Sequence, residues 1–185
     1  MIQCFIAKCN DIKLQRHYSK QLLRYSIKNV FKLEIEDEAI MRNQYGKPSF
    51  KNKEHIKFNI SHCDGLIACA VGLEEMGVDV ENIRSFDDYV VIRVCNMKEI
   101  NDIYSSHDSK RTFFTYWTMK ESLGKALGVG LHYPLRENEF IKNGDGYLCN
   151  YEGLKIKNYE IDNKFILSIC TDKNEEIILR GVNLD

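Results

Sequence analysis

The sequence predicts an α+β fold: two similar α+β halves forming a pseudo-dimer in one chain, with antiparallel sheets and packed helices. Three observations carry that prediction. Helical and strand-like patterns recur in both halves in similar proportion. Each half holds a turn followed by an apolar strand, Asp64-Gly65-Leu66-Ile67-Ala68-Cys69 in one and Asn163-Lys164-Phe165-Ile166-Leu167-Ser168 in the other. No linker rich in Pro, Gly or Ser separates them, so halves of 1–83 and 84–185 are expected to form one body. A chain of 185 residues with 44% apolar content has enough material for such a core.

The elements follow in order. Residues 1–8 alternate, with Ile2, Cys4 and Ile6 on one side, and predict a strand. Residues 12–31 predict a helix whose apolar positions Leu14, Tyr18, Leu22 and Tyr25 recur at three and four, while Arg16, Lys20, Arg24 and Lys28 form a basic stripe at spacing four. Stretches 57–61, 66–71 and 77–81 predict three strands of an antiparallel meander, the first two joined by a turn at Asp64-Gly65. Asn96, with Glu99 three residues on, predicts a helix cap. A second long helix spans 110–127 and stops at Gly128-Val129-Gly130. Short strands return at 147–150, 154–159, 165–170 and 177–180.

Charge and cysteine content narrow the function classes. Residues 1–60 hold 12 Lys and Arg against 6 Asp and Glu, and the remaining 125 hold 14 against 21, so a net charge of −1 conceals a polarised chain. That polarity fits two solvated faces, and it also suits an anionic ligand held beside a metal. Seven cysteines without a C-x-x-C pair fit neither a zinc ribbon nor a disulfide framework, and Cys69, Cys95 and Cys170 are expected as small core residues. No apolar run approaches the ~20 residues of a membrane span, and residues 1–10 lack the pattern of a secretory leader, so the expected location is cytoplasmic. Neither a membrane nor a nucleic acid is expected as a partner.

Two local patterns carry chemistry. In Gly77-Val78-Asp79-Val80-Glu81 a strand would turn Val78 and Val80 to the core and project the Asp79 and Glu81 carboxylates from the other face, where they can converge on one hard cation such as Mg²⁺. On the second helix, Tyr116, Met119, Leu123, Ala126 and Leu127 form one arc and Trp117, Glu121, Gly124, Lys125 and Gly128 the opposite one. A Glu121–Lys125 salt bridge at i, i+4 is the ordinary reading of the polar arc. It leaves Gly124 and Gly128 unexplained, since each weakens a helix unless something approaches the backbone closely.

Phe58-Asn59-Ile60-Ser61-His62, Gly77-Val78-Asp79-Val80-Glu81 and Trp117-Thr118-Met119-Lys120-Glu121-Ser122-Leu123-Gly124-Lys125-Ala126-Leu127-Gly128, with the shorter Gly46-Lys47-Pro48, resemble in that order the signature blocks of the surfactin-type 4'-phosphopantetheinyl transferases. The resemblance implies transfer of phosphopantetheine from coenzyme A (CoA) to a serine of an apo acyl or peptidyl carrier protein, with Mg²⁺, leaving 3',5'-ADP. It further implies that Asp79, Glu81 and Glu121 hold the metal, that Glu121 is also the general base, and that Lys125 neutralises the pyrophosphate. Gly46, Lys47 and Pro48 would bind the nucleotide end, and Ser61 and His62 the CoA phosphates. The basic segment that contacts the 3'-phosphate in typical members has its only counterparts in Lys13, Arg16, Lys20 and Arg24, of which Arg16 is taken as a CoA contact. Residues 1–83 would thus supply the nucleotide end and first metal carboxylates, and 84–185 the helix with Trp117, Glu121 and Lys125. Ser61 and His62, adjacent on a strand, point to opposite faces and are poorly placed for a hydrolytic triad. A monomer is expected, because one cleft needs motifs from both halves. A non-catalytic CoA-binding protein and another Mg²⁺-dependent phosphodiesterase are the competing readings.

Overall fold

A computed structural model describes residues 1–36 and 40–184. The described residues fold into two stacked sheets with helices on both outer faces. The first sheet has the order β11-β1-β5-β4, from β1 (Ile2–Cys9), β4 (Lys57–Cys63), β5 (Gly65–Gly72) and β11 (Ile177–Gly181). The β1–β11 pairing is parallel and the other two antiparallel. The second sheet is antiparallel throughout, in the order β6-β10-β9-β8-β7, from β6 (Met76–Asn82), β7 (Phe140–Asn143), β8 (Gly146–Cys149), β9 (Leu154–Ile161) and β10 (Phe165–Asp172). A hairpin of β2 (Ile40–Arg42) and β3 (Pro48–Phe50) stands apart.

The helices are α1 (Gln15–Phe31), preceded by a 3₁₀ turn at Ile12–Leu14, then α2 (Asp88–Val94), α3 (Met97–Ser105) and α4 (Ser109–Leu127). The cap expected at Asn96 forms as a reciprocal capping box with Glu99 at the start of α3. The hairpin at residues 40–50, α2 and β7 have no counterpart in the sequence pattern.

The apolar run of β5 is buried along its whole length because both its faces are covered. Leu66, Ala68 and Ala70 meet Val78, Val80, Leu167 and Ile169 of the second sheet, while Ile67, Cys69 and Val71 meet Leu22, Leu23 and Ile27 of α1. Strand β10 is likewise covered on both faces, by the first sheet on one side and on the other by the clusters that α4 joins. The two turn-then-apolar segments are therefore the doubly covered strands of their respective sheets. Six of the seven cysteines are buried and all are free thiols. Burial pushes Cys69 and Cys95 up to about 12, so these are inert core residues, as their apolar neighbours predict.

The expected meander of three strands is corrected in one respect. β4 and β5 pair as a hairpin, but β6 leaves the sheet and pairs with β10. A strand has two edges, and those of β5 are already taken by β1 and β4. With β11 returning to β1, each half of the sequence lends one strand to the other half's sheet. The described residues contain no helix long and apolar enough to cross a membrane.

Candidate active site

The exchange of β6 builds the site. Val78 and Val80 enter the core between the sheets, so Gly77, Asp79 and Glu81 face α4. Helix α4 crosses β6 at the glycine: a Cβ on Gly77 would stand 1.9 Å from the Ser122 carbonyl oxygen and 2.4 Å from the Ala126 nitrogen. That contact sets Lys125 over Asp79 and Trp117 over Glu81. Lys125 Nζ lies 2.6 Å from Asp79 Oδ1 and donates to Ser61 Oγ at 3.1 Å, while the Ser61 hydroxyl donates to the same Asp79 oxygen at 2.8 Å. Asp79 is only 4% exposed, and its Oδ2 is buried without a hydrogen-bond partner. Glu81 accepts from Arg84 Nη1 at 2.6 Å and from Trp117 Nε1 at 3.4 Å. The Lys125 ammonium thus pairs with Asp79 rather than forming the i, i+4 bridge to Glu121.

Glu121, one helical turn before Lys125, is half-buried, and its carboxyl is pushed up to about 7. Loss of solvent is the main cause; the Asp79 and Glu81 charges add to it and Lys125 opposes it. Asp79, Glu81 and Glu121 offer only oxygen donors, the donor type that Mg²⁺ prefers when phosphate oxygens and water complete its shell. Among the described residues no group of three His, Cys, Asp or Glu side chains is placed to hold a metal ion.

In front of these groups lies a cavity of about 430 Å³, the size of a small-molecule site. α1 contributes Arg16, Ser19 and Lys20 to its wall, and β4 contributes Phe58, Asn59, Ile60 and His62. The residue 40–50 hairpin adds Arg42, Tyr45, Gly46, Lys47 and Pro48, and α4 adds Glu121 and Lys125. Five Lys and Arg side chains therefore surround one carboxylate. Of the residues expected to bind CoA, Arg16, Gly46, Lys47, Pro48, His62 and Lys125 meet in this one cavity.

Three expectations take a different form. Ser61 does not line the cavity: strand alternation turns His62 outward and buries Ser61 at 7% exposure behind the wall, on Asp79. Lys47 lines the cavity, but its ammonium is engaged with Glu75 at 2.6 Å and with the Ala126 carbonyl at 2.9 Å, fastening the hairpin to the C-terminal end of α4. Asn43 Nδ2 reinforces this on the Gly128 carbonyl at 2.8 Å. What approaches Gly124 is the chain itself, since a Cβ there would lie 2.1 Å from the Gly130 carbonyl oxygen. Gly128 serves as the left-handed cap of α4, at φ 75°. Arg42 and Tyr45 went unread because a three-residue strand leaves no periodicity, though both adjoin Gly46-Lys47-Pro48.

A cation-lined cavity wall closed by a carboxylate of raised proton affinity and a half-buried ammonium–carboxylate pair defines an enzyme site of the group-transfer class. The chain belongs to the 4'-phosphopantetheinyl transferase superfamily, whose family model matches residues 75–174. It is 27% identical over 183 residues to the 4'-phosphopantetheinyl transferase Sfp of Bacillus subtilis (strain 168), covering 90% of this chain and 82% of that protein. It is 32% identical over 124 residues to the 4'-phosphopantetheinyl transferase gsp of Aneurinibacillus migulanus, covering 66% and 52%. Among solved structures, the holo-acyl-carrier-protein synthase of Thermotoga maritima overlaps 55% of this chain and 64% of its own, at 16% identity and a TM-score of 0.45.

Proposed function

We propose that the protein moves the 4'-phosphopantetheine group of CoA onto a serine hydroxyl of an apo carrier protein, releasing 3',5'-ADP. The observation that carries this reading is the placing of Glu121 and Lys125 on successive turns of α4, both facing one cationic cavity. Arg16, Arg42 and His62 take the phosphates and ribose end of CoA along the far wall. Glu121 accepts the proton of the carrier serine as its oxygen forms a bond to the phosphorus bearing pantetheine. The bond from that phosphorus to the ADP oxygen breaks, and Lys125 neutralises the charge that departs with 3',5'-ADP. Asp79, Glu81 and Glu121 would hold Mg²⁺, which supplies further neutralisation of the pyrophosphate when bound. A carboxyl poised near neutrality is suited to proton acceptance at cellular pH. All these groups come from one copy of the chain, consistent with a working monomer.

The test is to follow 3',5'-ADP. Its release should require an apo carrier and match the carrier consumed; release from CoA alone would mark a phosphodiesterase instead. A second expectation concerns the α1 wall. Between Lys8 and Lys32 there are seven Lys and Arg and one acid, so raising ionic strength from about 0.02 to about 0.3 M should increase the KM for CoA several-fold as the Debye length shrinks. Arg16→Ala should flatten that dependence, and a KM indifferent to salt would reduce the stripe to a solvated face.

A further inference from the structure

Sheet edges β4 and β6 meet at the site, yet no backbone ladder joins them. The hydrogen bonds that cross come from side chains of β4. Asn59 Oδ1 accepts from the Val78 N–H at 2.9 Å, and Ser61 Oγ accepts from the Val80 N–H at 3.3 Å. These two amides flank Asp79, so the segment carrying the central carboxylate is pinned on either side. Asparagine is a poor strand former, and Asn59 sits in the interior of β4 at 3% exposure. Its acceptor supplies what an open sheet edge lacks.

We propose that Asn59 is a positioning residue for the transfer: it fastens β6 at the spacing where Asp79 meets Lys125 on α4. The proposal rests on the transferase reading and extends it to a residue of the cavity wall that is only 3% exposed and whose side-chain oxygen is engaged by the β6 backbone. Ser61 shares the fastening but also touches Asp79 and Lys125 directly, whereas Asn59 is bonded to the β6 backbone, which makes it the cleaner probe. Without the acceptor, the buried Val78 N–H loses its partner and the edge shifts to find another. The carboxylate shifts with it.

The experiment pairs Asn59→Leu, which keeps the size and removes the acceptor, with Asn59→Asp, which keeps an acceptor oxygen. Asn59→Leu should lower kcat about 10- to 100-fold with KM for CoA changed less than about threefold, and should raise the Mg²⁺ concentration for half-maximal rate. Asn59→Asp should recover most of kcat. A folded Asn59→Leu protein with wild-type kcat and Mg²⁺ dependence would overturn the proposal, as would a loss that Asn59→Asp leaves unrepaired. Amide hydrogen exchange on the wild-type protein covers the case in which Asn59→Leu does not fold. Val78 and Val80 should exchange as slowly as the neighbouring amides bonded to β10, and fast exchange at either overturns the strut. Exchange reads the strut whether or not any group is transferred, so it fails separately from the transferase reading.

Discussion

Glu121→Gln is expected to lower kcat by about 10²- to 10⁴-fold while CoA still binds with nearly its wild-type affinity. The amide keeps the shape of the side chain and one oxygen toward the cavity but cannot take the serine proton. Asp79→Ala should behave differently, weakening Mg²⁺-dependent CoA binding along with turnover, because Asp79 holds Lys125 in place and carries the one orphaned oxygen of the site. Calorimetry of CoA binding with Mg²⁺ present, beside turnover of both variants, separates them. Equal loss of binding in the two would make Glu121 a ligand only.

The same substitution has an opposite effect on stability. The folded protein raises Glu121 from its ordinary value of 4.5 to about 7, so folding takes up a proton in the interval between. The stability tied to that proton is present in full below the unfolded value and is lost as pH rises through about 7. In the metal-free protein Glu121→Gln, which cannot ionise, should therefore be more stable than wild type near pH 8, by on the order of 3 kcal/mol, and indistinguishable near pH 4. A variant more stable yet nearly inactive is the signature of a functional carboxylate held at a cost to the fold.

The second large effect belongs to the neighbouring residue. Lys120 is fully buried, 2.9 Å from Glu99 Oε1, and its ammonium donates to the Leu135 carbonyl at 2.7 Å. Glu99 is the residue that closes the capping box of α3, so the pair locks α3 onto α4. Burial raises the Glu99 carboxyl and Lys120 opposes that rise. Lys120→Met would leave a buried charge without its partner, a loss of about 3–5 kcal/mol and a fall in Tm of roughly 6–20 °C for a chain of this length. Lys120→Met/Glu99→Leu should recover most of it, since removing both charges leaves none uncompensated. Turnover per folded molecule should change little. A Lys120→Met protein of unchanged Tm and depressed kcat would instead make Lys120 a substrate contact.

Lys120 and Lys125 show where sequence reading stops. Both lie in the same block on the same helix, five residues apart, and nothing in composition separates a core ion pair from a site ammonium. The long signals were legible. Strand alternation put Asp79 and Glu81 on one face, 3.6-residue periodicity located α4 to within one residue of its start, and Asn96 with Glu99 marked the start of α3. Strand exchange was hidden, because a pattern of alternating side chains specifies faces and not which edge a strand joins. Ser61, which the resemblance assigns to the CoA phosphates, sits on Asp79 because the edge that β6 brings to β4 meets it there. Gly124 invited a ligand reading that the Gly130 carbonyl accounts for.

The most direct test of the account is the mass of the acceptor. Apo carrier proteins of fatty-acid, polyketide and peptide synthesis, incubated with the protein, CoA and Mg²⁺, should gain one phosphopantetheine group at the carrier serine in at least one case. The gain should disappear when that serine is replaced by alanine and fall in rate as stated for Glu121→Gln. A folded wild-type protein that binds CoA yet leaves every carrier at its apo mass would contradict the account and reduce the cavity to a CoA-binding site.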